Sequence, residues 1–201
     1  MNRKVFGLMQ EMQTEGKRVT VKRTYLQLLQ QSDLKGREQP KLDGLRVDQV
    51  LKLSPSFYRF LYREVGRPHH WVDRLPWTDI ETASHLSRPE LTLWVMYLSG
   101  APAGFFELER HKDTSTEIAY FGLLPEYTGL GLGKYLLTRA VEEAWATGAN
   151  RVWLHTCTLD HPAALPNYVK RGFAPFKEES YDTFLEPWEV DAQIALSPPA
   201  T

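Results

Sequence analysis

Three glycines at alternate positions, Gly129, Gly131 and Gly133, separate a strand-like run from the strongest helical run in the chain. Before them Glu117 to Leu124 reads as a strand; after them Leu132, Leu136, Leu137, Ala140, Val141, Ala144 and Trp145 recur at helical spacing until Gly148. This order of strand, glycine-rich turn and helix restricts the local fold to an α/β unit. Glycine lets the backbone approach a ligand closely, and a helix start presents free N–H groups and a positive dipole end, the usual basis of pyrophosphate binding. Spacing excludes two other phosphate loops. A Walker A loop needs glycine where Thr128 stands and Ser or Thr where Tyr135 stands, and a dinucleotide fingerprint needs glycine at Lys134 or Leu136. Taken alone, the turn also suits a flexible connection that binds nothing.

The flanking sequence extends the α/β pattern. Arg18 to Leu26 alternates as a first strand, and Gln30 to Gly44, polar and carrying Gly36 and Pro40, reads as a loop. Ser54-Pro55 starts a helix with an apolar face of Phe57, Phe60, Leu61 and Val65. Gly66 is expected to end it in the left-handed conformation, and Pro68 bars its resumption. A shorter helix runs from Thr78 to about Leu86. Leu91 to Leu98 and Ala103 to Glu109 form a hairpin across a turn-forming stretch. Arg151 to Thr156 is a strand, Pro162 to Lys170 a short helix, and Phe173 to Lys177 with Tyr181 to Leu185 a final pair of strands. The division is an N-terminal appendage (1–17), one domain (18–190) and a C-terminal tail (191–201).

Composition narrows the class. The 201 residues carry 24 Lys and Arg against 25 Asp and Glu, a net charge of −1, which gives no whole-protein nucleic-acid footprint. One cysteine, Cys157, rules out a disulfide scaffold. Without an apolar run of spanning length or a secretory leader, the expectation is a cytoplasmic protein with no membrane partner.

The run Leu123-Leu124-Pro125-Glu126-Tyr127-Thr128-Gly129-Leu130-Gly131-Leu132-Gly133 resembles the acetyl-CoA motif of the GNAT acetyltransferase superfamily, Arg/Gln-x-x-Gly-x-Gly/Ala. Thr128 stands where Arg or Gln is usual. Because the family holds pyrophosphate chiefly through main-chain N–H groups, the change is expected to weaken or redirect one side-chain contact. A later run, Ala164-Leu165-Pro166-Asn167-Tyr168-Val169-Lys170-Arg171-Gly172-Phe173, resembles the family segment with a tyrosine four residues before Gly-Phe. His161 occupies the place of the asparagine that commonly binds the pantetheine arm.

The resemblance implies an α/β GNAT fold, a mixed and mostly antiparallel central sheet flanked by helices on both faces, with acetyl-CoA between the 117–124 and 151–156 strands. By position, Phe121, Gly122 and Leu123 offer backbone groups to the pantetheine and the thioester carbonyl. Thr128, Gly129, Leu130, Gly131, Leu132, Gly133 and Lys134 surround the pyrophosphate, and His161 borders the arm. Tyr168 matches the tyrosine that protonates the departing sulfur, though a core tyrosine packing the short helix is the plainer reading.

Glu117 is the candidate base, by similarity to histone-acetylating members. Two-residue alternation puts it on the face of Phe121 and Leu123. A strand-end glutamate without a role is the alternative, and Glu107 and Glu109 compete. Family acceptors bind near the first helices, where Tyr58, Tyr62, His69, His70, Trp71 and Trp77 suit an apolar or cationic group or simply pack the helices. His155, Cys157 and His161 alternate near a strand end; Cys157 reads as a small buried residue.

The expected function is acetyl transfer from acetyl-CoA to a primary amine of a small molecule or peptide, by direct attack and without a metal. The family's pattern allows a homodimer. Two other readings stay open: an acyl-CoA-binding module without turnover, and an acyltransferase with a longer donor or a hydroxyl acceptor.

Overall fold

A computed structural model describes residues 16–36 and 40–186. The expected tail, and all but the last two residues of the expected appendage, lie outside them. Seven strands form one sheet in the order β2-β3-β4-β5-β6-β1-β7. They are β1 (Lys17–Leu28), β2 (Arg46–Gln49), β3 (Leu91–Leu98), β4 (Ala101–Arg110), β5 (Ser115–Leu123), β6 (Arg151–Cys157) and β7 (Ala174–Leu185). Every neighbouring pair is antiparallel except β5 and β6. The mixed, mostly antiparallel sheet agrees with the sequence expectation.

The strand sequences account for most of these elements, but three details go beyond them. β2 is only four residues long and falls in a stretch without alternation. β1, whose neighbours the sequence leaves open, inserts between β6 and β7, with Arg23 opposite both Cys157 and Glu179. The two expected closing strands are one, because β7 follows β1 along its whole length and absorbs the 178–180 stretch through that pairing.

Helices α1 (Pro55–Gly66) and α2 (Asp79–Leu86) pack on one face, and α3 (Leu132–Ala146) on the other with the short α4 (Ala164–Lys170). Ser54 caps α1 by accepting from the Phe57 N–H at 3.3 Å, and Thr78 with Glu81 makes a reciprocal capping box on α2. The expectation for Gly66 is corrected. Its φ is −84°, so the helix runs on into a tight turn over Arg67–His69, and His70 takes the left-handed conformation at φ 56°. Glycine is required at 66 for closeness instead, since a Cβ there would lie 2.4 Å from the Cβ of Trp71.

Two apolar layers hold the sheet. Leu132, Leu136, Leu137, Ala140 and Val141 of α3 bury against Phe106, Ile118, Val152 and Leu154. Tyr58, Leu61, Tyr62 and Val65 of α1 bury against Leu93, Val95 and Phe105. Burying a side chain of this size contributes roughly 1.5–3 kcal/mol, so each helix is fixed by its apolar stripe. Among the described residues no helix is long and apolar enough to cross a membrane.

Candidate active site

β5 and β6 start as a parallel pair, with Ser115 opposite Arg151 and Glu117 opposite Trp153, and the pairing ends there. Beyond Glu117 the strands diverge, leaving a cleft of about 590 Å³ between them. β5 still pairs with β4 through Leu123, but its far edge lacks a strand neighbour. Backbone groups alternate between the two edges of a strand, so part of the 119–123 main chain faces the cleft with donors and acceptors unspent.

One end of the cleft is the glycine-rich turn. Gly129 and Gly131 have φ of 78° and 76°, and a Cβ at either would meet nothing within 4 Å. The glycines answer to backbone geometry and to open space above the turn. α3 begins at Gly131 with no side-chain cap and no acid in its first turn, so its first N–H groups and dipole end remain available. Thr128 directs its hydroxyl to the Pro125 carbonyl at 2.6 Å, spending the side chain on the turn itself. Phe121, Gly122, Leu123, Thr128, Gly129, Gly131, Gly133 and Lys134 all line the cleft. Leu130 is exposed beside it, and Leu132 is buried beneath it.

The opposite wall comes from β6 and α4. Tyr168 lines the cleft, its ring edge-on to Phe121 and Phe173 at 6.3 and 6.0 Å. Burial, reinforced by the nearby Asp160 carboxylate, pushes its phenol well above the usual range, so the hydroxyl keeps its proton at neutral pH. His161 also lines the cleft and turns Nδ1 back to accept from the Ala163 N–H at 3.1 Å. Asn167, one residue before Tyr168 in the second family-like run, and Asp160, which no motif marks, join the lining. Asp160 is held by the Thr156 hydroxyl at 2.5 Å and the Cys157 N–H at 2.9 Å.

The far end is closed by the loop after α1 and by the sheet face of β6, β1 and β7. His69, His70 and Trp71 line it, together with Asp73, Tyr120, His155, Arg23, Tyr181 and Thr183. Burial lowers the pKa of His69 despite the pull of Asp160, and its Nδ1 is buried without a partner among the described residues. Asp73 is exposed and makes no hydrogen bond or ion pair with the described residues, yet its charge acts on Tyr62, Tyr120 and Tyr181 from three elements.

The aromatic cluster expected for an acceptor divides. Tyr58 and Tyr62 are buried, Tyr58 donating to Glu107 at 2.9 Å, and Trp77 stands edge-on to His85 at 5.1 Å; none of the three lines the cleft. Tyr58 and Tyr62 form the packing behind Trp71 and Tyr120, which stand 5.6 and 5.1 Å from Tyr62.

Glu117 also lies outside the cleft lining. Against β4 the register slips, with Glu107 opposite Tyr120 and Leu108 opposite Ile118, so Ala119 is an extra residue. The bulge reverses the parity: Ile118, Phe121 and Leu123 pack on the α3 layer and Tyr120 on the α1 layer. Alternation through Glu117, Phe121 and Leu123 is therefore broken. Glu117 instead lies between two imidazoles, 3.2 Å from His111 Nε2 and 3.3 Å from His155 Nδ1, and its side chain is 12% exposed. Glu107 is fully buried under Arg74, and Glu109 pairs with Arg88, so neither competing carboxylate lines the cleft. Among the described residues no cluster of three His, Cys, Asp or Glu side chains suits a metal.

Residues 50–173 match the model of the acetyltransferase (GNAT) family. No curated protein matches the chain in sequence. Among solved structures the chain is similar to a GCN5-related N-acetyltransferase from Sphaerobacter thermophilus, with TM-score 0.63 and 17% identity over 92% of this chain and 57% of that one. A GCN5-related N-acetyltransferase from Kribbella flavida gives 0.57 and 19% over 91% and 63%. The ribosomal-protein-S18-alanine N-acetyltransferase of Escherichia coli gives 0.53 and 16% over 70% and 92%. At these identities the likeness is one of fold, and the chain spans about three-fifths of the first two structures.

Proposed function

The chain belongs to the GNAT acetyltransferase family, and we propose that it moves an acetyl group from acetyl-CoA to a primary amine by direct attack in the cleft between β5 and β6. One observation carries the reading: the uncapped start of α3, two left-handed glycines with free space above them and the phenol of Tyr168 all border a single cleft.

The division of labour follows from the residues. Backbone N–H groups from Gly129 to Lys134 hold the pyrophosphate, with Thr128 serving the turn and not the ligand. The part of the 121–123 main chain that β4 leaves unpaired orients the pantetheine and donates to the thioester carbonyl as charge develops there. His161 and Asn167 border the arm. Tyr168, kept protonated by burial, donates a hydrogen bond to the departing sulfur. A thiol of ordinary pKa, about 8.5, is a weaker base than the phenolate, so this hydroxyl stabilises charge more than it surrenders its proton.

The acceptor enters at the other end, against His69, His70, Trp71 and Tyr120, with the unpaired Asp73 carboxylate favouring a cationic amine. Direct attack is favoured over a covalent intermediate on Cys157. Burial, with Asp160 beside it, pushes that thiol up to about 11, so it is not a thiolate at neutral pH.

The test follows release of the CoA thiol from acetyl-CoA over a panel of primary amines, with Tyr168→Phe alongside. Release is expected only with an amine, and the variant is expected to lose roughly 100-fold in kcat with little change in acetyl-CoA affinity. Binding of acetyl-CoA without release on any amine would favour a non-catalytic module. Release only from longer donors, or only with hydroxyl acceptors, would favour the other acyl transfer.

A further inference from the structure

The family reading leaves open which group takes the acceptor's proton. Of the two groups in contact across the start of the cleft, Glu117 does not line it and His155 does. Nδ1 of His155 lies 3.3 Å from Oε1 of Glu117, which places the opposite ring nitrogen, Nε2, away from the carboxylate. This ion-pair approach to Glu117 is the only polar contact of the His155 side chain among the described residues. On the second carboxylate oxygen, Oε2, His111 Nε2 stands at 3.2 Å. The side chains of His155 and His111 are about one-third exposed, while Glu117 between them is 12% exposed. Rings brace both imidazoles: Tyr25 lies against His155 at 5.6 Å and Trp153 against His111 at 5.4 Å.

We propose that His155 is the catalytic base, that Glu117 is its positioning carboxylate, and that His111 completes a path from the cleft to solvent. The inference rests on the acetyltransferase reading above. A carboxylate facing Nδ1 selects the tautomer protonated there and leaves the Nε2 lone pair for the incoming ammonium. Of the other charged or titratable groups, Tyr25 of β1 stands opposite His155 and against its ring, and Arg23 of β1, Cys157 of β6 and Tyr181 of β7 line the same cleft.

One proton of the ammonium passes to His155 Nε2, and the equivalent of that proton leaves through Glu117 and His111 to water. The freed nitrogen lone pair forms the C–N bond to the acetyl carbon, and the C–S electron pair departs on sulfur beside Tyr168. A second proton from the nitrogen ends on that sulfur. The products are an amide, the CoA thiol and one solvent proton.

The experiment combines kinetics with a measurement that needs no turnover. In protein labelled with ¹⁵N-histidine, His155 is expected to carry its proton on Nδ1, and Glu117→Gln is expected to shift that signal toward the Nε2-protonated form. His155→Gln should lower kcat/KM for the best amine of the panel roughly 100-fold or more, remove the acidic limb of the pH–rate profile and leave acetyl-CoA binding by calorimetry within about twofold. Imidazole added to His155→Ala should restore part of the rate. Glu117→Gln should lower kcat roughly tenfold with KM little changed. Wild-type turnover in His155→Gln, or an Nε2-protonated His155 in the wild type, overturns the assignment alone. Absence of amine-dependent thiol release in the wild type overturns the acetyltransferase reading as well.

Discussion

Arg74 grips Glu107 through both terminal guanidinium nitrogens, at 2.7 and 2.9 Å, and Glu107 exposes none of its side chain to solvent. The pair joins the loop that lines the acceptor end to the middle of β4. Arg74 follows Asp73 directly and stacks its guanidinium over Tyr120 at 4.2 Å, so the clamp orders three groups at once.

Breaking this clamp by removing one partner leaves a buried charge unpaired. Glu107→Leu is expected to destabilise the fold by about 3–5 kcal/mol, measured by urea unfolding. Replacing both residues, as Arg74→Met with Glu107→Leu, recovers much of that loss because no lone charge remains. Amine KM should stay raised in the double variant, since the loop carrying Asp73 loses its tether, while acetyl-CoA affinity should hold. An unaltered KM would separate the clamp from acceptor binding.

Stability should fall in two stages on acidification. His69 is kept neutral by burial and its folded pKa lies below 6.5, so the unfolded chain binds the proton first. Its contribution is complete above about pH 6.5 and is lost as pH falls through the lower folded value. For Glu107, burial alone would raise the pKa, but His85 and Arg74 outweigh it and hold the carboxyl below its usual range. That contribution is complete above about pH 4.3 and disappears at lower pH. Urea midpoints measured against pH should lose the upper stage in His69→Gln and keep the lower.

Much of this was legible locally. The three glycines, the stripe of α3 and Tyr168 four residues before Gly172-Phe173 each sit within one or two adjacent elements, where periodicity and turn chemistry carry the signal. What escaped depends on partners distant in sequence. β1 pairs with β6 and β7 more than a hundred residues away, and no local pattern states which edge a strand will take. The extra residue at Ala119 exists only in the register between two strands, yet it decides which way Glu117 faces. Asp73 carries no motif; its place in the cleft comes from Arg74 reaching across to Glu107.

The glycine turn makes a separable prediction. At Gly131 the left-handed φ makes alanine strained by about 1–2 kcal/mol, while its added Cβ meets no protein atom. Gly131→Ala should therefore remain folded with a modest loss of stability. The methyl group stands where the pyrophosphate is expected, and calorimetry should find acetyl-CoA bound roughly tenfold more weakly. Undiminished affinity would move the ligand off this turn.

Cys157 should be dispensable. With its thiol pushed up to about 11 it contributes no nucleophile near neutrality, and Cys157→Ala is expected to retain amine-dependent thiol release within about threefold. A collapse of turnover in a folded variant would instead require a role for the sulfur.

Direct transfer to an amine is tested in one measurement by isotope tracing. With acetyl-CoA labelled in the acetyl group and the best primary amine of the panel, mass spectrometry should find one labelled acetyl group on the amine and none retained on the protein. Label trapped on Cys157 as a competent intermediate, or an amine panel that stays unlabelled while acetyl-CoA binds, would contradict it.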